Sequence, residues 1–297
     1  MAQAILPSGI NIEFETMGDS SNPTLLWIMG FGAQLTAWNE EFMQLFAEQG
    51  FHVVRFDNRD CGLSYKHDGV MVETDKVTMA AMMGEPSPVP VPYTLSDMAA
   101  DAIGVLDHLG IEKAHVIGAS MGGMIAQTLA IEYPHRATSL VSIMSVPGDL
   151  AYGTPTDEAL AGLLAPPPPD RGAYIESAAT WAIWGSKKYF DLQEAKERAG
   201  REYDRSFYPE GTHRQLAAIY SSGDRSEALA TLTTPTLVIH GTDDTLLTPS
   251  GGDRVAELVP GSVLLKVKDM GHDMPKPLWP LYVDAITSHA RRAEASR

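Results

Sequence analysis

The sequence predicts an α/β fold: a mostly parallel sheet flanked by helices, with a helical insertion late in the chain. Three observations predict it. Short apolar runs of strand length alternate with segments of helical period. Several of those runs are continuous rather than alternating, as strands buried on both faces require. The alternation stops between Val146 and about Leu229, where helical patterns take over.

Taken in order, the strands are expected at 25–29, 52–56, 114–117, 140–144, 236–240 and 263–267, each rich in branched residues. The helices between them are expected at 38–49, 95–109, 121–132, 252–258 and 279–291. Inside the interruption the helical patterns 174–184 and 213–220 dominate. The chain therefore divides into a core, 1–146 and 230–297, and a helical cap, 147–229. Near the start of that cap Ala165-Pro166-Pro167-Pro168-Pro169-Asp170 has fixed φ angles and few N–H donors, which suits a stiff spacer between helices. A second irregular stretch, 79–93, mixes methionines with prolines; it either fills gaps in the core or borders a pocket.

Composition narrows the class of protein. The 297 residues are 44% hydrophobic and 20% charged, which is ordinary for a folded globular chain, and no apolar run reaches the ~18 residues of a membrane helix. The formal net charge of −16 repels phosphate backbones and anionic lipid headgroups, so neither nucleic acid nor a membrane is an expected partner. That acid excess is read as serving solubility, not as a guide to substrate. Residues 1–10 have no basic n-region and no continuous apolar stretch, so the expected location is the cytoplasm. Cys61 stands alone, which excludes an internal disulfide and a thiolate metal cluster. It has no base beside it in sequence and is given no catalytic role. No histidines and carboxylates fall at zinc-binding spacing, so no metal is expected.

The sharpest signal is Gly118-Ala119-Ser120-Met121-Gly122, preceded by a strand and followed by the small-residue helix start Gly123-Met124-Ile125-Ala126. A nucleophile held on a tight strand-to-helix turn needs this pattern, because residues flanking the serine must be small for the turn to close. The serine oxygen then projects above the sheet edge, and the N–H of Met121 points where an oxyanion would develop. Serine is a weak nucleophile until a base activates it and a third group orients that base. Both are available downstream. Asp243 and Asp244 follow the strand 236–240, and Met270-Gly271-His272 follows the strand 263–267. His52, His115 and His240 begin or end strands and are read as hydrogen-bonded structural residues; His135, on a helix-exit turn, is expected to be exposed.

Phe56-Asp57-Asn58-Arg59-Asp60-Cys61-Gly62-Leu63-Ser64 adds a second motif. With it, the chain resembles the α/β-hydrolase superfamily over nearly its whole length, and most closely the esterase-like branch that includes aclacinomycin methylesterase. Arg59 to Ser64 match that family's R-D-x-G-x-S block, whose more usual form has glycine where this chain has Asp60. The resemblance implies an acid in a G-x-x-D pattern and a base in a G-H pair, which selects Asp244 over Asp243, and His272. It also implies a second oxyanion donor in the loop Met29-Gly30-Phe31-Gly32, most simply the backbone N–H of Phe31. Related chains often have His-Gly here, and this chain has Met29; on the residues alone, Gly30 and Gly32 could merely permit a turn. Asp57, Arg59 and Asp60 are expected to form a loop-bracing ion pair, outside the chemistry.

The expected activity is hydrolysis of a small-molecule carboxylic ester through an acyl-enzyme intermediate, with no cofactor. Ser120, His272 and Asp244 would carry it, with the Phe31 and Met121 amides as oxyanion donors. A serine nucleophile excludes hydrolysis through a displaced aspartyl ester. Other reactions on the same three residues stay open, namely C–C bond hydrolysis, thioester hydrolysis and cofactor-free perhydrolysis, as does a ligand receptor of the same fold. The cap leaves the sheet just after the strand following Ser120, and it returns before the strand carrying Asp244. It is therefore expected to roof the pocket, with Trp181, Trp184, Tyr189, Phe207 and Tyr220 as wall or packing residues.

Overall fold

The computed structural model describes residues 2–295; Met1 and 296–297, the outer ends of the two expected core segments, lie outside the described residues. Eight strands form one sheet: β1 (Ala2–Ile5), β2 (Asn11–Met17), β3 (Thr24–Ile28), β4 (His52–Phe56), β5 (Ala114–Ala119), β6 (Ala137–Ile143), β7 (Thr236–Gly241) and β8 (Val263–Val267). Their order is β1-β2-β4-β3-β5-β6-β7-β8. β2 pairs antiparallel with both β1 and β4, and the six strands β3 to β8 pair in parallel, with Leu26, Val116, Leu140 and Thr236 in one row across the centre.

Alternation within the buried strands assigns side chains to two faces. In β3, Leu26 and Ile28 join a core with the helices Leu95–His108, Met121–Glu132 and Ser250–Leu258, while Leu25 and Trp27 face the helices Glu40–Glu48 and Trp279–Ala295. Trp27 sits edge-on to Trp38 at 4.8 Å and tilted against Phe46 at 4.9 Å, which anchors the second face.

Two strands were not expected. β1 is mostly exposed, and β2 interleaves Glu13 and Glu15 with its apolar residues, so neither reads as a buried run. Glu15 is held by Arg55 of β4, and the Glu13 N–H donates to Ser64 Oγ. The expected helix 38–49 begins instead at Glu40, capped by the Asn39 side chain, after a 3₁₀ turn at Leu35–Ala37. Part of the stretch 79–93 is helical, since the helix Thr74–Met82 runs into it; Met79, Met82 and Met83 are exposed.

Between β6 and β7 lie the α-helices Asp157–Leu163, Arg171–Ser177, Trp181–Trp184, Leu192–Arg205, Glu210–Ser221 and Ser226–Leu229, with no strand among the described residues. The expected helix 174–184 is broken by a 3₁₀ turn at Ala178–Thr180. The proline run joins the first two of these helices without helical structure, and Asp170 at its end caps the second.

Candidate active site

Ser120 follows the last residue of β5 and precedes the first residue of the helix Met121–Glu132. Its backbone is left-handed, φ 57° and ψ −123°, a conformation that costs a non-glycine residue roughly 1–3 kcal/mol and persists only where neighbours fix it. They do so here. The Ser120 N–H donates to the Ile143 carbonyl at 2.9 Å, and Ser145 Oγ donates to the Ser120 carbonyl at 2.8 Å. The flanking glycines are required by contact: a Cβ on Gly118 would lie 2.0 Å from the Gly122 carbonyl oxygen, and one on Gly122 would lie 2.1 Å from that of Ile28. Any larger residue would push the helix off the strand.

The loops after β7 and β8 bring two of the expected residues together. His272 Nδ1 and Asp244 Oδ2 are 2.7 Å apart, both side chains buried. The other carboxylate oxygen of Asp244 accepts the Leu246 and Leu247 amides, each at 2.9 Å. Asp243 is exposed, accepts from its neighbour Thr242, and takes no part in this pair.

His240 has a closer connection to this carboxylate than its strand-end position suggests. Its Nε2 lies 2.7 Å from the Leu247 carbonyl oxygen and 3.4 Å from Asp244 Oδ2. A carbonyl can only accept, so Nε2 carries the proton. Asp244 thus faces two imidazoles. Burial raises its pKa, but His272 and then His240 outweigh that and hold it at about 2. A buried carboxylate kept charged beside Nδ1 fixes that nitrogen as the protonated one and leaves Nε2 of His272 free to take a proton. His52 and His115 bond to Thr24 and Ser139, and His135 is exposed, as expected.

The loop after β3 passes beside the serine. A Cβ on Gly30 would stand 3.6 Å from Ser120 Oγ. Among the described residues, neither the Phe31 nor the Met121 amide donates to another protein group. Three side chains hold the loop: Asp57 accepts from the Leu35 N–H at 2.6 Å, Asn58 donates to the Met29 carbonyl at 2.7 Å, and Gln215 accepts from the Gly32 N–H at 2.8 Å. Gln215 is fully buried and also donates to the Arg59 carbonyl. Nothing in sequence pointed to it, because it lies 183 residues from Gly32.

Asp57, Arg59 and Asp60 do brace, but not one another. Arg59 pairs with Asp101 of the helix Leu95–His108 at 2.6 Å. Asp57 pairs with Arg205 and Asp60 with Arg214, each at 2.8 Å, so both carboxylates tie the β4 loop to helices inserted between β6 and β7. Asp60 has φ 63°, which is why glycine is usual there. Burial raises its carboxyl, and the Arg214 guanidinium brings it below the ordinary value.

A cavity of about 290 Å³ opens beside Phe31 and Gly32, walled by Leu163, Pro166, Tyr174, Phe207 and Leu216 among others. The proline run thus lines a cavity as well as joining helices. Cys61 also borders it, but the thiol is buried and pushed well above its usual range by burial and then by Asp57, so it stays protonated.

This fold with this arrangement of serine elbow and His–Asp pair defines the class. The α/β hydrolase fold family matches residues 23–275, and the chain belongs to that family. Rhodomycin D methylesterase of a Streptomyces species is 26% identical, with 94% of this chain and 94% of that protein covered. A meta-cleavage product hydrolase of Pseudomonas fluorescens superposes with a TM-score of 0.75 at 19% identity, over 99% of this chain and 98% of that one. An enol-lactonase of Burkholderia xenovorans gives 0.73 at 19%, over 97% and 99%. No helix among the described residues is long and apolar enough to cross a membrane.

Proposed function

We propose that this protein is a serine hydrolase that cleaves a small-molecule carboxylic ester through an acyl-enzyme on Ser120. The observation that carries the proposal is the 2.7 Å bond between His272 and Asp244, formed at the strand ends where the Ser120 elbow also stands. The likeness to a methylesterase supports an ester as substrate.

In this reading His272 Nε2 accepts the proton of Ser120 Oγ as that oxygen bonds to the ester carbonyl carbon. The Phe31 and Met121 amides hold the oxyanion, each donor typically contributing about 10²–10³ in rate. The tetrahedral adduct collapses as the C–O bond breaks, and His272 returns the proton to the departing alcohol. Water then repeats the sequence, attacking the acyl carbon, giving its proton to His272 and releasing Ser120. Asp244 stabilises the imidazolium throughout. The inserted segment 147–229 acts as the cap, and the cavity beside Phe31 receives the substrate's apolar portion. Side chains and backbone amides alone supply the chemistry, and the enzyme works in the cytoplasm.

A panel of p-nitrophenyl esters of increasing acyl length, acyl thioesters and vinylogous diketones tests the proposal. Esters should give the highest kcat/KM, and Ser120→Ala should abolish it. A diketone or thioester turned over faster than every ester would replace ester hydrolysis with the corresponding reaction.

A further inference from the structure

One short stretch of the inserted segment touches both loops of the His–Asp pair. The Trp184 carbonyl accepts the His272 N–H at 2.6 Å, and the Ile183 carbonyl accepts from Oγ1 of Thr245, the residue after Asp244, at 2.8 Å. Leu246 packs against Trp184 and Ala159 in a small apolar cluster of its own. Ser186 lies two residues beyond Trp184 and is fully buried. Its Oγ accepts the Gly271 N–H at 2.9 Å and donates to Asp273 Oδ1, which also accepts the Ser186 N–H at 2.8 Å. Gly271 and Asp273 are the two residues flanking His272. The contact is close: a Cβ on Gly271 would lie 2.4 Å from the Gly185 carbonyl carbon.

We propose that Ser186, clasped between Gly271 and Asp273, is a positioning residue that sets the His272 backbone and through it the imidazole, so that the inserted segment completes the base. The inference rests on the ester-hydrolase reading above. Its physical basis is that a loop histidine reaches both Ser120 and Asp244 only if its backbone is fixed, and a loop bonded at three successive residues to a buried partner has little freedom left. Ser186 also places both its N–H and its Oγ–H on the same carboxylate oxygen of the half-buried Asp273. A merely structural serine would stabilise the fold without being tied to both neighbours of the base.

The test is Ser186→Ala, measured by ester turnover and by the downfield proton NMR resonance of the His272–Asp244 hydrogen bond. The expected result is a fall of about 10- to 100-fold in kcat with KM within about 3-fold, as misplacement of a base predicts. The resonance should broaden or move. Asp273→Asn keeps an acceptor but weakens the charge-assisted bond, so it should lower kcat by a smaller factor, about 3- to 10-fold, and it carries the test if Ser186→Ala does not fold. Folded Ser186→Ala with kcat within about 2-fold of the parent and an unmoved resonance would overturn the inference, as would a loss confined to KM. So would Asp273→Asn with parental kcat and resonance. Failure of the underlying reading is separate: it would leave Ser120→Ala active, whereas failure of this inference leaves Ser120→Ala dead.

Discussion

Replacing Asp244 with asparagine exchanges one carboxylate oxygen for an NH2 group while keeping the outline of the side chain, and the surroundings dictate which oxygen is exchanged. Oδ1 accepts the Leu246 and Leu247 amides, so an NH2 group there would confront two donors. The amide nitrogen must therefore occupy the Oδ2 position, where it donates to His272 Nδ1 and meets the Nε2–H of His240. That forces the proton of neutral His272 onto Nε2, the nitrogen that has to accept from Ser120. The imidazolium formed during attack also loses its counter-charge. The two effects together should lower kcat by about 10³–10⁴, or roughly 4–5.5 kcal/mol in barrier, with little change in KM. Steady-state hydrolysis of the best p-nitrophenyl ester measures this directly, with Asp243→Asn beside it as a control expected to stay within about 2-fold, since that residue is exposed. Asp244→Asn retaining more than a tenth of parental kcat, or Asp243→Asn losing more than Asp244→Asn, would refute this reasoning.

Three further outcomes follow from the same geometry. Because the folded-state pKa of Asp244 is depressed to about 2 from an ordinary 3.8, its contribution to stability is present above pH 4 and is lost as pH falls through 2. Urea unfolding of the parent against Asp244→Asn should show a pH-dependent advantage of about 2 kcal/mol at pH 6 shrinking to about 1 at pH 3, and a constant difference would contradict the assignment. Arg214→Met leaves the fully buried Asp60 carboxylate without its partner and should cost about 3–5 kcal/mol, seen as a melting temperature lower by roughly 6–15 °C. Adding Asp60→Gly removes the stranded charge and relaxes the left-handed backbone, so the double variant should melt above the single one; no recovery would show that the ion pair is not what the loop depends on. Leu216→Ala enlarges the cavity beside Phe31 and should raise KM for long acyl esters by about 10-fold while leaving short ones within about 2-fold, and a uniform change would place the substrate elsewhere.

The parts of this molecule that were legible in the sequence share a local cause. Five of the six parallel strands are buried along their whole length and were readable for that reason, the edge strand β8 by its branched apolar residues although it is largely exposed, and the Ser120 elbow because its turn admits only glycine at two fixed positions. Asp244 and His272 were chosen by a family pattern, and the geometry brings the same two together. β1 and β2 escaped because β1 is a short, mostly exposed edge strand and β2 interrupts its apolar residues with Glu13 and Glu15, of which Glu15 is held by Arg55 of β4. Arg205, Arg214, Gln215 and Ser186 escaped for a different reason. Each acts across a gap of 85 residues or more, and no periodicity or spacing links a donor to an acceptor at that distance. Asp60 carried a partial signal, since a charged residue in a position that usually holds glycine needs a compensating partner.

The central claim is that Ser120 is the nucleophile, and a fluorophosphonate probe tests it most directly because the probe bonds to an activated serine and mimics the tetrahedral adduct. Peptide mass spectrometry of the labelled protein should find one phosphonate per chain on the Ser120 peptide, with labelling lost in Ser120→Ala and slowed in His272→Ala in step with esterase turnover. Phosphonate on Cys61 or on another serine, or ester turnover that survives Ser120→Ala, would contradict the account.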